Sequence, residues 1–223
     1  MTSEGAPCSI VAQVEKELGP VDVLINNAGV SRISPFANEP DDLNVWWRVF
    51  EINVRAPAAL ARAVLPSMLK RNTGVIISTS SAVATLSLPV MSVYTSSKAA
   101  ISKFHESLAE ELSGTGILTF AVHPGTVQSG LATSDSAVNM EHIQHPAVQG
   151  LLGMMSDPNS KLQEPQLCAD TMVALVADPR YKVLTGRHIN STQELHSVAE
   201  EAEKEGKGRL GKDRLYLITV PTL

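Results

Sequence analysis

Short, mostly apolar runs alternate with helical segments along most of this chain of 223 residues. Four such runs, VDVLI, GVIISTSS, GILTFAVHPG and YKVLTGRHI, fall between residues 21 and 189 and have the composition of buried strands. Strands with little polar alternation, separated by helices, are typical of a parallel sheet that is covered by helices on both faces. The alternation therefore predicts an α/β fold with a doubly wound sheet of about four parallel strands.

The segments between these runs carry apolar residues at helical spacing. Helices are predicted within residues 8–19, 40–71, 94–112 and 166–178. A bend is expected near Pro57, because proline has no N–H for the hydrogen bond of a helix. For residues 126–165 the sequence predicts only a loop and weak helices.

Composition excludes several classes of protein. The formal net charge of −5 and the pI of about 5.7 give no electrostatic case for nucleic acid or for an anionic membrane surface. No apolar run approaches the roughly 20 residues of a membrane span, and the N-terminus lacks the pattern of a signal peptide. Cys8 and Cys168 are far apart and indicate reduced thiols in a cytoplasmic protein. His142 and His145 have no third ligand nearby, so no metal site is expected.

The polar residues that stand out follow the predicted strands. Asn26 and Asn27 follow the first strand, and Ser81 follows the second. Tyr94 and Lys98 come just downstream, four residues apart and on one face of a predicted helix. Ligands of parallel sheets bind beyond the carboxyl ends of the strands. These residues are therefore expected to form a site together.

Five motifs resemble those of the short-chain dehydrogenase/reductase family. They are NNAG at residues 26–29, EINV with Asn53, Ser81 placed thirteen residues before the tyrosine, YTSSK at residues 94–98, and PGTVQS at residues 124–129. The resemblance covers roughly residues 8–190 and looks most like fungal members, many of which act in secondary metabolism. It implies a truncated Rossmann-like fold and an NAD(P)-dependent oxidoreductase that interconverts an alcohol and a ketone on a small metabolite.

The resemblance also implies a role for each matching residue. Tyr94 would be the general acid or base, with a pKa lowered by the positive charge of Lys98. Ser81 would orient the substrate oxygen, and Asn53 would hold a water in a proton path. The cofactor would be NADP or NAD, with NADP slightly favoured. Its implied contacts are Asn26, Arg62, Tyr94, Lys98, Val127 and Ser129.

One expected segment has no counterpart in this sequence. Family members open with a strand and a Thr-Gly-x-x-x-Gly-x-Gly turn that holds the pyrophosphate. GKGRLG at residues 206–211 fits a Gly-rich pattern, but a charged helical stretch precedes it instead of a strand. The chain is interpreted as a truncated gene product, a non-redox relative, or a complete protein that covers its edge by oligomerising. VDVLI is then expected to be an exposed apolar edge strand.

These observations lead to one architecture and two functional hypotheses. Residues 1–190 are predicted to form the truncated domain, and residues 191–223 a C-terminal extension. The helices within residues 55–70 and 94–112 are expected to pair in a homodimer or homotetramer, and residues 128–165 to form an apolar lid over a small substrate. The alternative is a binding module or cofactor-independent enzyme that uses the Ser81–Tyr94 pocket. A hydrolase is disfavoured because no Gly-x-Ser-x-Gly motif is present.

Overall fold

Four parallel strands form the centre of the structure, a computed structural model that describes residues 5–127, 129, 131, 137–156 and 161–204. The strands lie in chain order: β1 (Val23–Asn26), β2 (Gly74–Thr79), β3 (Ile117–His123) and β4 (His188–Asn190). Each strand pairs in parallel with the next. The predicted α/β fold with about four parallel strands is confirmed.

Helices cover both faces of the sheet. They are α1 (Ala6–Leu18), α2 (Asn44–Phe50), α3 (Ala56–Arg71), α4 (Ser92–Glu111), α5 (Pro146–Met155), α6 (Pro165–Ala177) and α7 (Leu195–Glu203). Helices α1, α3 and α4 pack on one face around Ile76 and Ile117. Helices α6 and α7 pack on the other face around Phe120 and Ile189. Side chains of β2 and β3 alternate between the two faces and contribute to both cores, whereas Ile189 of β4 contributes to the second.

The bend expected near Pro57 takes the form of a π-helical segment. Residues Glu51–Arg55 continue from α2 with the wider π spacing before α3 begins at Ala56. Pro57 has no N–H to give to the carbonyl of Asn53, its i−4 residue. The backbone therefore widens where Asn53 lies, and Asn53 itself is buried.

The fourth strand is shorter than predicted from YKVLTGRHI. Residues Pro179–Leu184 form a 3₁₀ helix, and β4 occupies only His188–Asn190. The Asp178 side chain accepts a hydrogen bond from the Arg180 N–H at 3.0 Å, which caps this helix at its start. Tyr181 and Leu184, three residues apart, bury their side chains on the same side. The apolar residues of this run thus fill the core from a helix rather than from a strand.

Strand β1 lies at an edge of the sheet. Within the part of the chain that the structure describes, it pairs with β2 alone. Ile25 is 48% exposed there, although its neighbours Val23 and Leu24 are partly buried. The expectation of an apolar edge strand is confirmed.

The segment after β4 returns to the core. Helix α7 places Val198 and Ala199 against the cluster around Phe120. The division at residue 190 stays a prediction, and the GKGRLG segment lies outside the described residues. None of the helices in the described ranges is long and apolar enough to cross a membrane.

Substitution of Gly186, just before β4, tests how tightly α4 packs on the sheet. Its φ of +80° disfavours other residues, and a Cβ there would lie 2.7 Å from the Cβ of Ala109 on α4. Gly114 has a similar φ of +79°, with open space around it. We expect Gly186→Ala to lower the free energy of unfolding by about 2–4 kcal/mol, and Gly114→Ala by about 1 kcal/mol. Urea unfolding of both variants measures the difference, and equal costs would contradict the close packing of α4.

Candidate active site

The side chains of Ser81, Tyr94 and Lys98 come together beyond the carboxyl end of β2. Tyr94 lies in the first turn of α4 and is 6% exposed, and its hydroxyl hydrogen-bonds the Ser81 side chain. The Lys98 ammonium lies 5.7 Å from the centre of the Tyr94 ring. It donates a hydrogen bond to the Thr79 carbonyl, the last of β2, at 2.7 Å. A hydroxyl, a phenol and an ammonium thus share one pocket.

Burial dominates the electrostatics of this pocket. Removal from water raises the pKa of Tyr94 above its ordinary value, and the hydrogen bond to Ser81 offsets part of that rise. The same burial lowers the pKa of Lys98 to about 8. The expected lowering of the Tyr94 pKa by Lys98 is therefore wrong for this structure. The ammonium bonds a carbonyl instead of the phenol oxygen, and the loss of hydration outweighs its attraction for a tyrosinate.

Asn53 ties the loop after β1 to the start of α4. Its Oδ1 accepts from the Val30 N–H at 2.9 Å, and its Nδ2 donates to the Val30 carbonyl at 2.8 Å. Nδ2 also reaches the Ser97 hydroxyl at 3.0 Å, which in turn donates to the Tyr94 carbonyl at 2.8 Å. Three hydrogen bonds thus hold the side-chain amide. The role implied for Asn53 in a proton path through water stays a prediction.

Two residues of the NNAG motif shape the space beside Lys98. Asn26 ends β1 and donates from its Nδ2 to the Ser78 hydroxyl at 3.3 Å, whereas its buried Oδ1 has no partner among the described residues. A Cβ on Gly29 would lie 3.4 Å from the Lys98 ammonium and 3.3 Å from the Asn53 Oδ1. Glycine therefore lets this backbone approach Lys98 closely, and the free oxygen of Asn26 remains for a ligand.

None of the hydrogen bonds found in the described ranges joins the remaining predicted residues to Tyr94 or Lys98. Val127 pairs with Gln163 in an isolated bridge after β3, and exposed Ser129 accepts from the Leu131 N–H at 3.4 Å. Arg62 is exposed on α3, and no contact found in the described ranges joins it to Tyr94. The roles of Val127, Ser129 and Arg62 toward a cofactor stay predictions.

Apolar residues cover Tyr94 from the side of α5. Val148 and Leu151 of α5 pack with Ile33, Met91 and Tyr94 in one buried cluster. The partly buried members of the cluster are Val83, Leu88, Val90, Leu131, Val138 and Leu152. Of the other apolar residues in the predicted lid, Met140, Met154 and Met155 are exposed. The described part of residues 128–165 therefore includes an apolar cover on the tyrosine.

Three neighbours of the site were not singled out in the sequence. Ser97 links Asn53 to Tyr94, and the Thr79 carbonyl holds Lys98. Val90 has a φ of +58°, which is rare for a β-branched residue, and its carbonyl accepts from the Ser34 N–H at 2.8 Å. The position of Ser97 inside YTSSK was a usable signal, since it lies one turn from Tyr94. The Thr79 carbonyl and the φ angle of Val90 could not be predicted, because they belong to the backbone and not to side-chain types.

Asn53 provides a test of this arrangement that does not need a substrate. Asn53→Ala removes the partners of the partly buried N–H and C=O of Val30, so we expect a loss of about 2–4 kcal/mol in the free energy of unfolding. The Val30 amide should also exchange hydrogen faster. Asn44→Ala removes a single exposed side-chain hydrogen bond, from Asn44 Nδ2 to Asp42, and serves as the control, with an expected loss under about 1 kcal/mol. Unchanged exchange at Val30 would contradict the arrangement.

Comparison with known proteins gives several related sequences. A family model described as short chain dehydrogenase matches residues 1–139. A short chain dehydrogenase of Pseudocercospora fijiensis is 56% identical over 223 residues, which is 100% of this chain and 72% of that protein. A short chain dehydrogenase of Monascus purpureus is 29% identical over 219 residues, which covers 97% of this chain and 68% of that protein.

Comparison of folds agrees with the sequence matches. The crystal structure of a gluconate 5-dehydrogenase from Burkholderia cenocepacia, in complex with NADP and tartrate, superposes with a TM-score of 0.68 at 21% identity. The match covers 85% of this chain and 70% of that chain. It confirms the expected Rossmann-like arrangement of parallel strands and helices. Together with the family model and the relative at 56% identity, it leads to one conclusion: the chain belongs to the short-chain dehydrogenase/reductase family of oxidoreductases.

Proposed function

We propose that this protein interconverts an alcohol and a ketone on a small metabolite with NADP or NAD as cofactor. The observation that carries the proposal is the single pocket formed by Ser81, Tyr94 and Lys98 at the carboxyl end of β2. A phenol beside a hydroxyl and an ammonium can exchange a proton with a substrate oxygen and stabilise the charge that develops there.

The chain's own residues supply the proton chemistry of this reaction. In reduction, the Tyr94 hydroxyl donates its proton to the carbonyl oxygen, while the Ser81 hydroxyl hydrogen-bonds the same oxygen. The Lys98 ammonium then stabilises the tyrosinate that is left. In oxidation the tyrosinate accepts the proton of the alcohol. The close cover of apolar side chains around Tyr94 keeps water away from these steps.

The residues present fit a nicotinamide cofactor. The buried Oδ1 of Asn26 lacks a partner among the described residues and offers an acceptor, and Lys98 offers an ammonium donor beside the close backbone of Gly29. Val127, Ser129 and Arg62 are the further candidates for contact. When bound, the cofactor donates or accepts the hydride. NADP is favoured over NAD, and the fold neighbour that contains NADP supports this order.

The substrate side of the proposal is an apolar metabolite. The aliphatic cluster around Tyr94 supports this choice, since such pockets select apolar ligands with a few polar groups for orientation. A role in secondary metabolism is part of the proposal, because the sequence resembles fungal members of the family, and its relatives from Pseudocercospora and Monascus are likewise fungal short chain dehydrogenases.

The proposal extends to assembly and location. Phe36, Val45 and Trp47 expose about half of their surface, and Trp46 stacks on Phe50 beside them at 5.3 Å. Helix α2, which carries most of this aromatic patch, packs against α4. An exposed patch of this kind favours a homodimer or homotetramer. The near absence of cysteine favours the cytoplasm.

A non-redox function is the second candidate. The observation that favours it is the Lys98 ammonium, which donates its hydrogen bond to the Thr79 carbonyl and not to the phenol of Tyr94. A neutral phenol hydrogen-bonded to Ser81 can bind a carbonyl compound without any hydride transfer. Binding of nicotinamide separates the two candidates.

Replacement of the tyrosine tests the leading proposal. We expect the wild-type chain to bind NADPH in a fluorescence titration, with a raised melting temperature. Tyr94→Phe should retain this binding and lose about 10²–10⁴-fold in kcat for reduction of a ketone found by screening. Tyr181→Phe, on the opposite face of the sheet, is the control with little expected change. No NADPH or NADH binding by the folded wild type would favour the non-redox candidate, and full turnover by Tyr94→Phe would refute the role of Tyr94.

The pH dependence follows from the same residues. Reduction needs the protonated phenol and the charged ammonium, and burial lowers the pKa of Lys98 to about 8 while it raises that of Tyr94. We therefore expect kcat for reduction to be constant below pH 7 and to fall by up to about tenfold per pH unit above the pKa of Lys98. Oxidation should instead speed up as the pH rises, because it needs the tyrosinate. A reduction rate that stays constant up to pH 10 would contradict this assignment.

A further inference from the structure

A second group of polar side chains lies behind the turn of α4 that carries Lys98. Ser102, one turn after Lys98, has its hydroxyl 2.9 Å from the Lys98 carbonyl. The same oxygen lies 2.7 Å from the Ser80 hydroxyl and 3.0 Å from Nδ1 of His188. Ser80 and Ser102 are both almost fully buried. The residue after β2, helix α4 and strand β4 thus meet at one hydroxyl oxygen.

The shortest contacts favour one direction for these hydrogen bonds. The Lys98 carbonyl can only accept, so the Ser102 hydroxyl donates across the 2.9 Å contact. The two lone pairs of Ser102 can then accept from the Ser80 hydroxyl and from an N–H at Nδ1 of His188. The single proton of the Ser80 hydroxyl is then used at Ser102 and not at its longer contact of 3.3 Å with the Lys98 carbonyl. This arrangement places the proton of His188 on Nδ1, and the other tautomer would reverse the bond between Ser102 and His188.

The surroundings of His188 keep its ring neutral. The groups that face it are His123, on the same face of β3, and the Lys98 turn of α4, which presents its carbonyl and not its ammonium. Burial, followed by the nearby His123, lowers the pKa of His188 to about 4, and burial also lowers the pKa of His123. A neutral imidazole has a single N–H, so its hydrogen bond to Ser102 has a defined direction.

This group forms the second of two attachments between β2 and the same turn of α4. At the first, the Lys98 ammonium holds the carbonyl of Thr79. At the second, the hydroxyl of the next residue, Ser80, holds Ser102 and lies 3.3 Å from the Lys98 carbonyl. His188 closes the second attachment from β4.

We propose that His188, acting through Ser102, is a positioning residue that fixes Lys98 beside Tyr94. The inference rests on the proposed function of that pair. Without the N–H at position 188, the Ser102 hydroxyl is free to turn away from the Lys98 carbonyl, and the turn of α4 loosens against β2. The ammonium then gains access to water, so the pKa of Lys98 rises toward its ordinary value, and the alignment with Tyr94 is lost.

A matched pair of substitutions tests this role. Asparagine can place an N–H where Nδ1 of histidine lies, whereas leucine has a similar shape without a donor. We expect His188→Leu and Ser102→Ala to raise the pKa of Lys98, and His188→Asn to keep the wild-type value. The pKa is measured by NMR of lysine labelled with ¹³C at Cε. Ketone reduction should fall about tenfold in kcat with little change in KM for the leucine and alanine variants only. His196→Leu, at a partly exposed position of α7, is the control.

Two readouts do not depend on enzymatic activity. ¹⁵N NMR of the wild-type histidines should show His188 neutral with its proton on Nδ1, and the pKa of Lys98 can be followed without a substrate. If nicotinamide does not bind, the proposed function fails, and these two readouts still decide the positioning role. A proton on Nε2, or an equal Lys98 pKa in folded wild type and Ser102→Ala, would overturn the inference. Equal loss of activity in His188→Asn and His188→Leu would also overturn it, even if one of them folds poorly.

Discussion

The parallel register of β1, β2 and β3 is the constraint on which the rest of the site depends. Asn26 pairs with Ser78, and Thr79 pairs with Val122, so the three strands end at one edge of the sheet. Because the carboxyl ends of parallel strands meet at the same edge, residues more than fifty positions apart in sequence become neighbours. The Thr79 carbonyl, Ser81 and the loop after Asn26 all start from this edge, and α4 crosses it with Tyr94 and Lys98.

Desolvation sets the chemical state of the residues at this edge. Tyr94 and Lys98 are both almost fully buried, and burial shifts the pKa of each toward its uncharged form. Hydrogen bonds decide where each polar atom points: Ser81 holds the phenol, Thr79 holds the ammonium and Asn53 holds the loop at Val30. Burial thus keeps the Tyr94 phenol in its protonated form at neutral pH.

The comparison of sequence with structure separates two kinds of prediction. The strand and helix pattern was readable because each element has its own apolar period, and the bend before Pro57 was readable from the lost N–H. The run YKVLTGRHI was misjudged because an apolar run of this length fits a strand or a buried 3₁₀ helix equally well, and Asp178 with Pro179 starts the helix. The pKa of Tyr94 was misjudged because the spacing of Tyr94 and Lys98 says nothing of their hydration.

The sequence by itself determined the α/β fold, the family and the candidate residues Ser81, Tyr94 and Lys98, because residue types at fixed spacing carry that information. Only the tertiary structure decided how those residues are held. The hydrogen bonds that hold them join separate elements of the structure. These bonds link Asn53 to Val30, Lys98 to the Thr79 carbonyl, and Ser102 to Ser80 and His188. Such contacts depend on backbone atoms and on positions accurate to a few tenths of an ångström, which no local pattern of side chains encodes.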